Sequence, residues 1–172
     1  PQGTLWGKNT TGGSINVITA KPSGELGLKQ ELGFGEYGRF RSKTVLDLAP
    51  YELGELGSVN LKFSYLKTET DGWANRVNRA LPGPHDLGKV DSDSFRVAAA
   101  WNLSDDVVID YAYDHIDRNG TIHQDQLLSA PASMGADQYA SRRKRLERFS
   151  LDTAGRDEIT VNGHSLTVAW DL

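Results

Sequence analysis

The sequence predicts an all-β protein whose six long antiparallel strands are typical of a transmembrane β-barrel segment. Three observations lead to this prediction. Apolar and polar residues alternate with period two along most of the chain, which is the spacing of strands with one apolar face. The predicted strands are about nine to twelve residues long, near the ~9–11 that a tilted strand needs to cross a bilayer. Long and short connections also alternate between strands, as in outer-membrane barrels.

The first three strands are predicted at 25–34, 39–49 and 58–68. Their alternating apolar positions are Leu26, Leu28, Leu32 and Phe34, then Phe40, Leu46 and Leu48, then Val59, Leu61, Phe63 and Tyr65. Charged residues such as Lys29, Arg41 and Lys62 occupy the positions between them. One side of these strands is therefore expected to face lipid and the other a wet lumen.

The last three strands are predicted at 93–103, 106–117 and 158–171. Their apolar positions are Phe95, Val97, Ala99 and Trp101, then Val107, Ile109, Tyr111 and Tyr113, then Leu166, Val168 and Trp170. The alternation changes parity near Asn162 and Gly163, which predicts a turn or a bulge there.

Connection lengths and tryptophans favour a barrel over a soluble β-sandwich, which shows the same alternation. The two longest connections, 70–91 and 119–157, fall at one end of the strands, and the short turns after the second and fourth strands fall at the other. Trp101 and Trp170 lie at the short-turn end, where an aromatic girdle would meet the lipid headgroups.

The amino-acid composition argues against several other classes of protein. The 172 residues carry a formal net charge of -4, which does not favour nucleic-acid binding, and they contain no cysteine for disulfides or thiolate metal sites. No run approaches the ~18 apolar residues of a membrane-spanning helix. Because the chain starts at Pro1 and ends directly after a strand-like segment, we expect a fragment of a longer polypeptide.

Two glycine-rich stretches resemble nucleotide-binding loops only superficially. The run from Gly3 to Asn9 has three residues, not four, between its glycine and the Gly-Lys pair, and a strand-like segment follows. The run from Gly33 to Gly38 matches G-x-G-x-x-G, but β-alternation rather than a helix follows it. The second run predicts a hairpin turn.

No catalytic or metal-binding set emerges, so the sequence does not predict an enzyme. The four histidines are scattered without metal-ligand spacing. Asp110 and Asp114 share a strand face and could act as paired carboxylates. They are better explained as lumen-lining acids balanced by Arg39, Arg41 and Lys43.

The densest charge cluster is basic and lies in the second long connection. Its leading members are Arg142, Arg143, Lys144 and Arg145. Such a cluster could attract an anionic ligand or lipopolysaccharide phosphates. A solvated patch of a long loop is the favoured interpretation.

The opening, PQGTLWGKNTTGGSINVIT, resembles the end of the plug domain of TonB-dependent outer-membrane receptors. Trp6 stands where that family usually has tyrosine, and Ser14 where alanine is frequent. The plug-motif positions are Gly3, Gly7, Gly12, Gly13 and Asn16. The resemblance implies a plug end at 1–22 and, at 23–172, the first six strands of a barrel of about 22 strands.

The resemblance also implies a function. Members of the family take up scarce nutrients, typically ferric siderophores, and also cobalamin, haem or glycans. The expected partners are TonB, through a segment outside this chain, together with outer-membrane lipid, lipopolysaccharide and the nutrient, with no resident cofactor. In some members the aromatic residue of the aromatic-Gly pair faces the ligand, which makes Trp6 the candidate ligand contact. A passive porin-type barrel remains the alternative.

Overall fold

A computed structural model of the chain describes residues 19–78, 80–122, 125–134 and 145–171. In chain order its strands are β1 (Gly27–Phe34), β2 (Phe40–Asp47), β3 (Tyr51–Glu52), β4 (Ser58–Thr70), β5 (Ala74–Arg76), β6 (Asp86–Leu87), β7 (Val90–Asn102), β8 (Val107–Thr121), β9 (Arg148–Phe149) and β10 (Arg156–Trp170). Short 3-10 turns occupy Gly54–Leu56 and Ala132–Met134.

The long strands form one antiparallel sheet in the order β1-β2-β4-β7-β8-β10, and the short β3 pairs with β4. This order confirms the predicted all-β fold with six consecutive antiparallel strands. Four of the six are longer than expected, at 13 to 15 residues. Within the described ranges the sheet is not closed, because β1 and β10 each have only one neighbouring strand.

The run from Gly33 to Gly38 is the hairpin that the alternation predicts. β1 and β2 pair from Gly27 opposite Asp47 to Phe34 opposite Phe40. Tyr37 and Gly38 take left-handed backbone angles, with φ of 59° and 62°, and so reverse the chain tightly. No helix follows, so the G-x-G-x-x-G spacing here belongs to a turn.

The register separates the side chains of the sheet into two faces. One face, which we call the apolar face, carries Leu28, Leu46, Phe63, Val97, Trp101, Ile109, Tyr111, Leu166, Val168 and Trp170. The opposite face, which we call the polar face, carries Lys29, Glu31, Arg41, Lys43, Asp47, Lys62, Arg96, Asp110, Asp114, Arg118 and Asp157. The predicted division of the strands into apolar and charged sides is therefore confirmed.

An aromatic row crosses the apolar face and divides it into two zones. Its members are Phe63, Phe95, Tyr111, Tyr113, His115 and His164, whose rings contact one another from strand to strand, and Tyr65, which lies opposite Phe95. All charged strand residues of this face lie on the long-loop side of the row; they are Lys67, Glu69, Asp91, Asp93, Asp117, Arg156 and Glu158. Trp101 and Trp170 lie at the opposite, short-turn end, as predicted.

The predicted turn or bulge near Asn162 and Gly163 is wrong. β10 pairs with β8 without interruption, from Arg156 opposite Thr121 to Trp170 opposite Val107. The apolar residues of β10 therefore change faces within a continuous strand, at the level of the aromatic row. Below the row the apolar residues are on the apolar face, whereas above it Ile159 and Val161 are on the polar face.

The two longest connections leave the same end of the sheet, as predicted, and they also pair with each other. β5 lies between β6, which is antiparallel to it, and β9, which is parallel to it. Ala74, Leu87 and Phe149 are buried between these strands, against Trp73, Leu151 and Ala154. We call this unit the loop cluster.

Candidate functional site

The stretch that precedes β1 lies against the polar face, and this contact forms the candidate site. Lys21 Nζ pairs with Asp110 Oδ2 at 2.5 Å, and Lys62 Nζ donates a hydrogen bond to the carbonyl oxygen of Lys21 at 3.3 Å. The backbone N–H of Ser23 donates to Asp47 Oδ1 at 2.9 Å. The chain is therefore held against β2, β4 and β8 near the short-turn end of the sheet.

Small residues make room for this stretch on the polar face. Ala98, Ala112, Ser165 and Thr167 line the space beneath Thr19–Pro22. Ala98 is 8% exposed and Ala112 is 4% exposed, which makes them two of the few buried apolar residues of the sheet. Larger side chains at the buried Ala98 or Ala112 would push the stretch away from the strands.

Ion pairs between strands occupy other parts of the polar face. Asp47 pairs with Lys62 at 3.3 Å, and Asp114 pairs with Arg96 at 2.7 Å. Farther toward the long loops, Arg118 pairs with Asp157 at 3.3 Å. Each of these ion pairs joins two neighbouring strands and so connects the strands across the sheet.

Asp110 and Asp114 lie on the polar face as predicted, but their expected partners are wrong. Asp114 pairs with Arg96 and Asp110 with Lys21, rather than with Arg39, Arg41 or Lys43. The reason is the strand order, which places β4 and β7 between β8 and the first two strands. The two acids serve separate pairs, and the Oδ1 atom of Asp110 has no hydrogen-bond partner among the described residues.

The loop cluster is built around a buried arginine. Arg76 is 1% exposed and donates to the carbonyl oxygens of Asn78, Leu81 and Pro82 at 2.6 to 3.1 Å. One guanidinium thereby satisfies three backbone acceptors of a tight loop. Sequence reasoning missed this residue, since a lone arginine in a long connection resembles any solvated cation.

Of Arg142, Arg143, Lys144 and Arg145, only Arg145 lies in the described part of the chain. Its guanidinium carbon is 4.0 Å from the centre of the Trp73 ring, so Arg145 joins the second long loop to the first. Arg142, Arg143 and Lys144 lie outside the described residues, as do Trp6 and the plug-motif positions Gly3, Gly7, Gly12, Gly13 and Asn16. Their proposed roles remain predictions.

Other types of site find little support in the described ranges. No group of three or more His, Cys, Asp or Glu side chains is placed there to hold a metal ion. Nor do these ranges include a helical stretch with the length and hydropathy of a membrane span. No family model, curated protein or solved structure matches this chain.

Proposed function

We propose that the chain is a segment of a TonB-dependent outer-membrane receptor, comprising the end of its plug and six strands of its barrel. The observation that carries this proposal is the position of the stretch that follows the plug-like motif. Through Lys21 and Ser23 it lies on the polar face, which would be the inside of a closed barrel. A plug must enter a barrel on that side.

The uncovered apolar face supports a location in lipid. Leu28 is 72% exposed, Val168 59%, Leu166 67% and Trp170 66%, on a face that no described residue covers. Contiguous exposed apolar surface of this kind marks a lipid or protein contact. On β7 the apolar zone runs from Trp101 to Phe95, which at ~3.4 Å per residue is about 20 Å. Because barrel strands tilt by ~35–45°, this length crosses about 15 Å of the ~25 Å apolar band of outer-membrane barrels.

The open edges of the sheet support a longer barrel. In lipid, unpaired backbone groups at β1 and β10 would each cost several kcal/mol, so further strands must pair with them. The aromatic row and the tryptophans at the short-turn end then mark the two boundaries of the bilayer. The loop cluster would project outward, beyond the charged ends of β4 and β7.

The proposed activity is energy-coupled uptake of a scarce nutrient in the bacterial outer membrane, with TonB as the partner. A ferric siderophore is the typical cargo of the family, and cobalamin, haem and glycans are the other candidates. A passive porin-type barrel is less well supported, because a porin has no preceding domain that must pass along the polar face.

A pair of cysteine variants tests the orientation of the sheet. Leu166→Cys and Thr167→Cys are adjacent on β10 but lie on opposite faces. Each is introduced into the complete receptor, labelled with a small bimane fluorophore and reconstituted into vesicles containing brominated-chain phospholipids. We expect strong quenching of the label at 166 and weak quenching at 167. Equal quenching at both positions would contradict a sheet with only its apolar face toward lipid. Quenching at neither position would favour a soluble β-sandwich.

A second measurement separates receptor from porin. Uptake of ferric siderophores by cells that make the complete protein is compared with and without TonB under iron limitation. A receptor requires TonB, whereas a porin does not. Uptake that depends neither on iron nor on the identity of the siderophore would refute a ferric siderophore as the cargo. Cobalamin, haem and glycans would then be tested.

A further inference from the structure

A cleft of about 650 Å³ lies between the stretch before β1 and the β1-β2-β4 part of the polar face. Thr19 and Ala20 form one side of it. The strands of the sheet contribute four cationic side chains, Lys29, Lys43, Lys62 and Arg96, and one acidic side chain, Asp47. Gly27, Ser64 and Ala98 leave space between these long side chains.

The carboxylates around the cleft do not balance its cations. Glu31 lies 3.1 Å from Lys29 and 3.6 Å from Arg41, and it is opposite Lys43 in the β1–β2 register. One carboxylate thus pairs with Lys29 and Arg41 and lies opposite a third cation, Lys43. The remaining two cations, Lys62 and Arg96, have their own partners in Asp47 and Asp114.

Donors also remain available in the cleft. Lys43 takes part in no ion pair among the described residues. Arg96 uses only Nη1 toward Asp114, at 2.9 and 2.7 Å from the two carboxylate oxygens. The other nitrogens of that guanidinium form no hydrogen bond within the described ranges. Lys43 and Arg96 both line the cleft and can therefore donate to an additional anion.

The preceding sequence does not supply the missing negative charge. Residues 1–24 contain Lys8 and Lys21 but no aspartate or glutamate, and the first acid is Glu25. The segment that leads into the cleft would therefore add positive rather than negative charge. An unbalanced set of cations beside low-dielectric walls concentrates small anions.

We propose that this cleft binds a small oxyanion, through phosphate or carboxylate oxygens that accept from Lys43 and Arg96. This site deepens the proposed function and rests on it, since in a receptor the cleft lies between the plug end and the inner barrel wall. It lies toward the short-turn end, on the side where the cargo would leave the barrel. The transported nutrient would then carry anionic groups at that point.

Binding of inorganic pyrophosphate to the purified complete receptor tests the site, measured by titration calorimetry and by ³¹P line broadening. We expect Lys43→Gln and Arg96→Gln each to weaken binding about tenfold, since each removes a charge-assisted hydrogen bond. Lys43→Arg keeps the charge and should keep the binding. Lys67→Gln is the matched control, because it removes the same charge from the apolar face, where Lys67 pairs with Asp91 and Asp93.

Two outcomes would overturn the inference. One is that the wild-type receptor does not bind pyrophosphate, and the other is that the Lys67→Gln control weakens binding as much as Lys43→Gln does. Heat-modifiable migration of each variant on gels verifies that its barrel is intact. The proposed function is tested separately by lipid quenching and TonB-dependent uptake, so failure of the oxyanion site is distinguished from failure of the proposed function.

Discussion

The six-stranded sheet and the loop cluster differ in where their apolar residues are buried. The sheet has the longest strands of the molecule, yet its buried apolar residues are only Ala98, Ala100 and Ala112. The loop cluster has strands of two or three residues, yet Ala74 and Leu87 are completely buried in it, and Phe149 is 7% exposed. The short strands enclose a core and the long strands do not.

This difference shows that the two regions depend on different surroundings. The loop cluster buries its apolar surface against itself, through the Trp73–Phe149 contact at 5.9 Å between ring centres. The sheet leaves side chains such as Phe34 and Trp170 uncovered, so its apolar face must be stabilised by something outside the described chain. Lipid is the partner that the proposed function supplies.

The largest expected effect is the loss of the loop-cluster core in Phe149→Ala. Removing a buried phenylalanine costs about 3–5 kcal/mol, and here it also removes the contact with Trp73. We expect faster amide hydrogen exchange in 73–76, 86–87 and 148–149, and faster tryptic cleavage after Arg145 and Arg148. Exchange in the long strands should stay unchanged.

The control for this prediction is Leu128→Ala, in the same long connection. Leu128 is 58% exposed, so its truncation should leave exchange in the loop cluster unaltered. If Phe149→Ala also released the six long strands, the loop cluster would be part of the stability of the sheet. The contrast between the two regions would then be wrong.

The second prediction concerns the apolar face in the bilayer. Leu166 lies between His164 of the aromatic row and Trp170 at the short-turn end, close to the middle of the apolar zone. If the apolar face contacts lipid as proposed, Leu166→Arg should lower the free energy of unfolding of the complete protein in vesicles by about 2–4 kcal/mol, the range for a cation near the bilayer midplane. Urea titration of tryptophan fluorescence measures it.

Thr167→Arg is the matched control on the opposite face. Thr167 is opposite Asp110, whose Oδ1 atom lacks a hydrogen-bond partner in the described structure. An arginine there gains an acidic neighbour, so we expect a change within about 0.5 kcal/mol. Equal losses for the two variants would mean that both faces are similarly enclosed.

The sheet was largely predictable because alternation assigns each strand residue to a face. A shift of one residue would move every apolar side chain to the wrong side, so the pattern determines which residues share a face. For example, the apolar set of β7, from Phe95 to Trp101, lies on one face as predicted. The parity change in β10 shows the limit of this reasoning, since the apolar residues change faces there while the strand continues without interruption.

The candidate site and the loop cluster were less predictable. Strands of two or three residues carry no measurable period, so nothing in the sequence pairs β5 with β9 across the long separation between them. The partners of Asp110 and Asp114 depend on strand order and on the course of residues 19–26. Both are results of tertiary structure and have no local signal.

The smallest expected effect concerns the contact that links the two long loops, Arg145 over Trp73. A cation–π interaction at an exposed site contributes about 0.5–1 kcal/mol, because water still solvates much of the guanidinium. Arg145→Gln should therefore raise amide exchange near Trp73 by a few-fold and leave the buried Leu87 protected. Arg148→Gln, which removes the same charge from an exposed side chain of β9, is the control. If both variants changed exchange equally, net charge rather than stacking would hold the loops together.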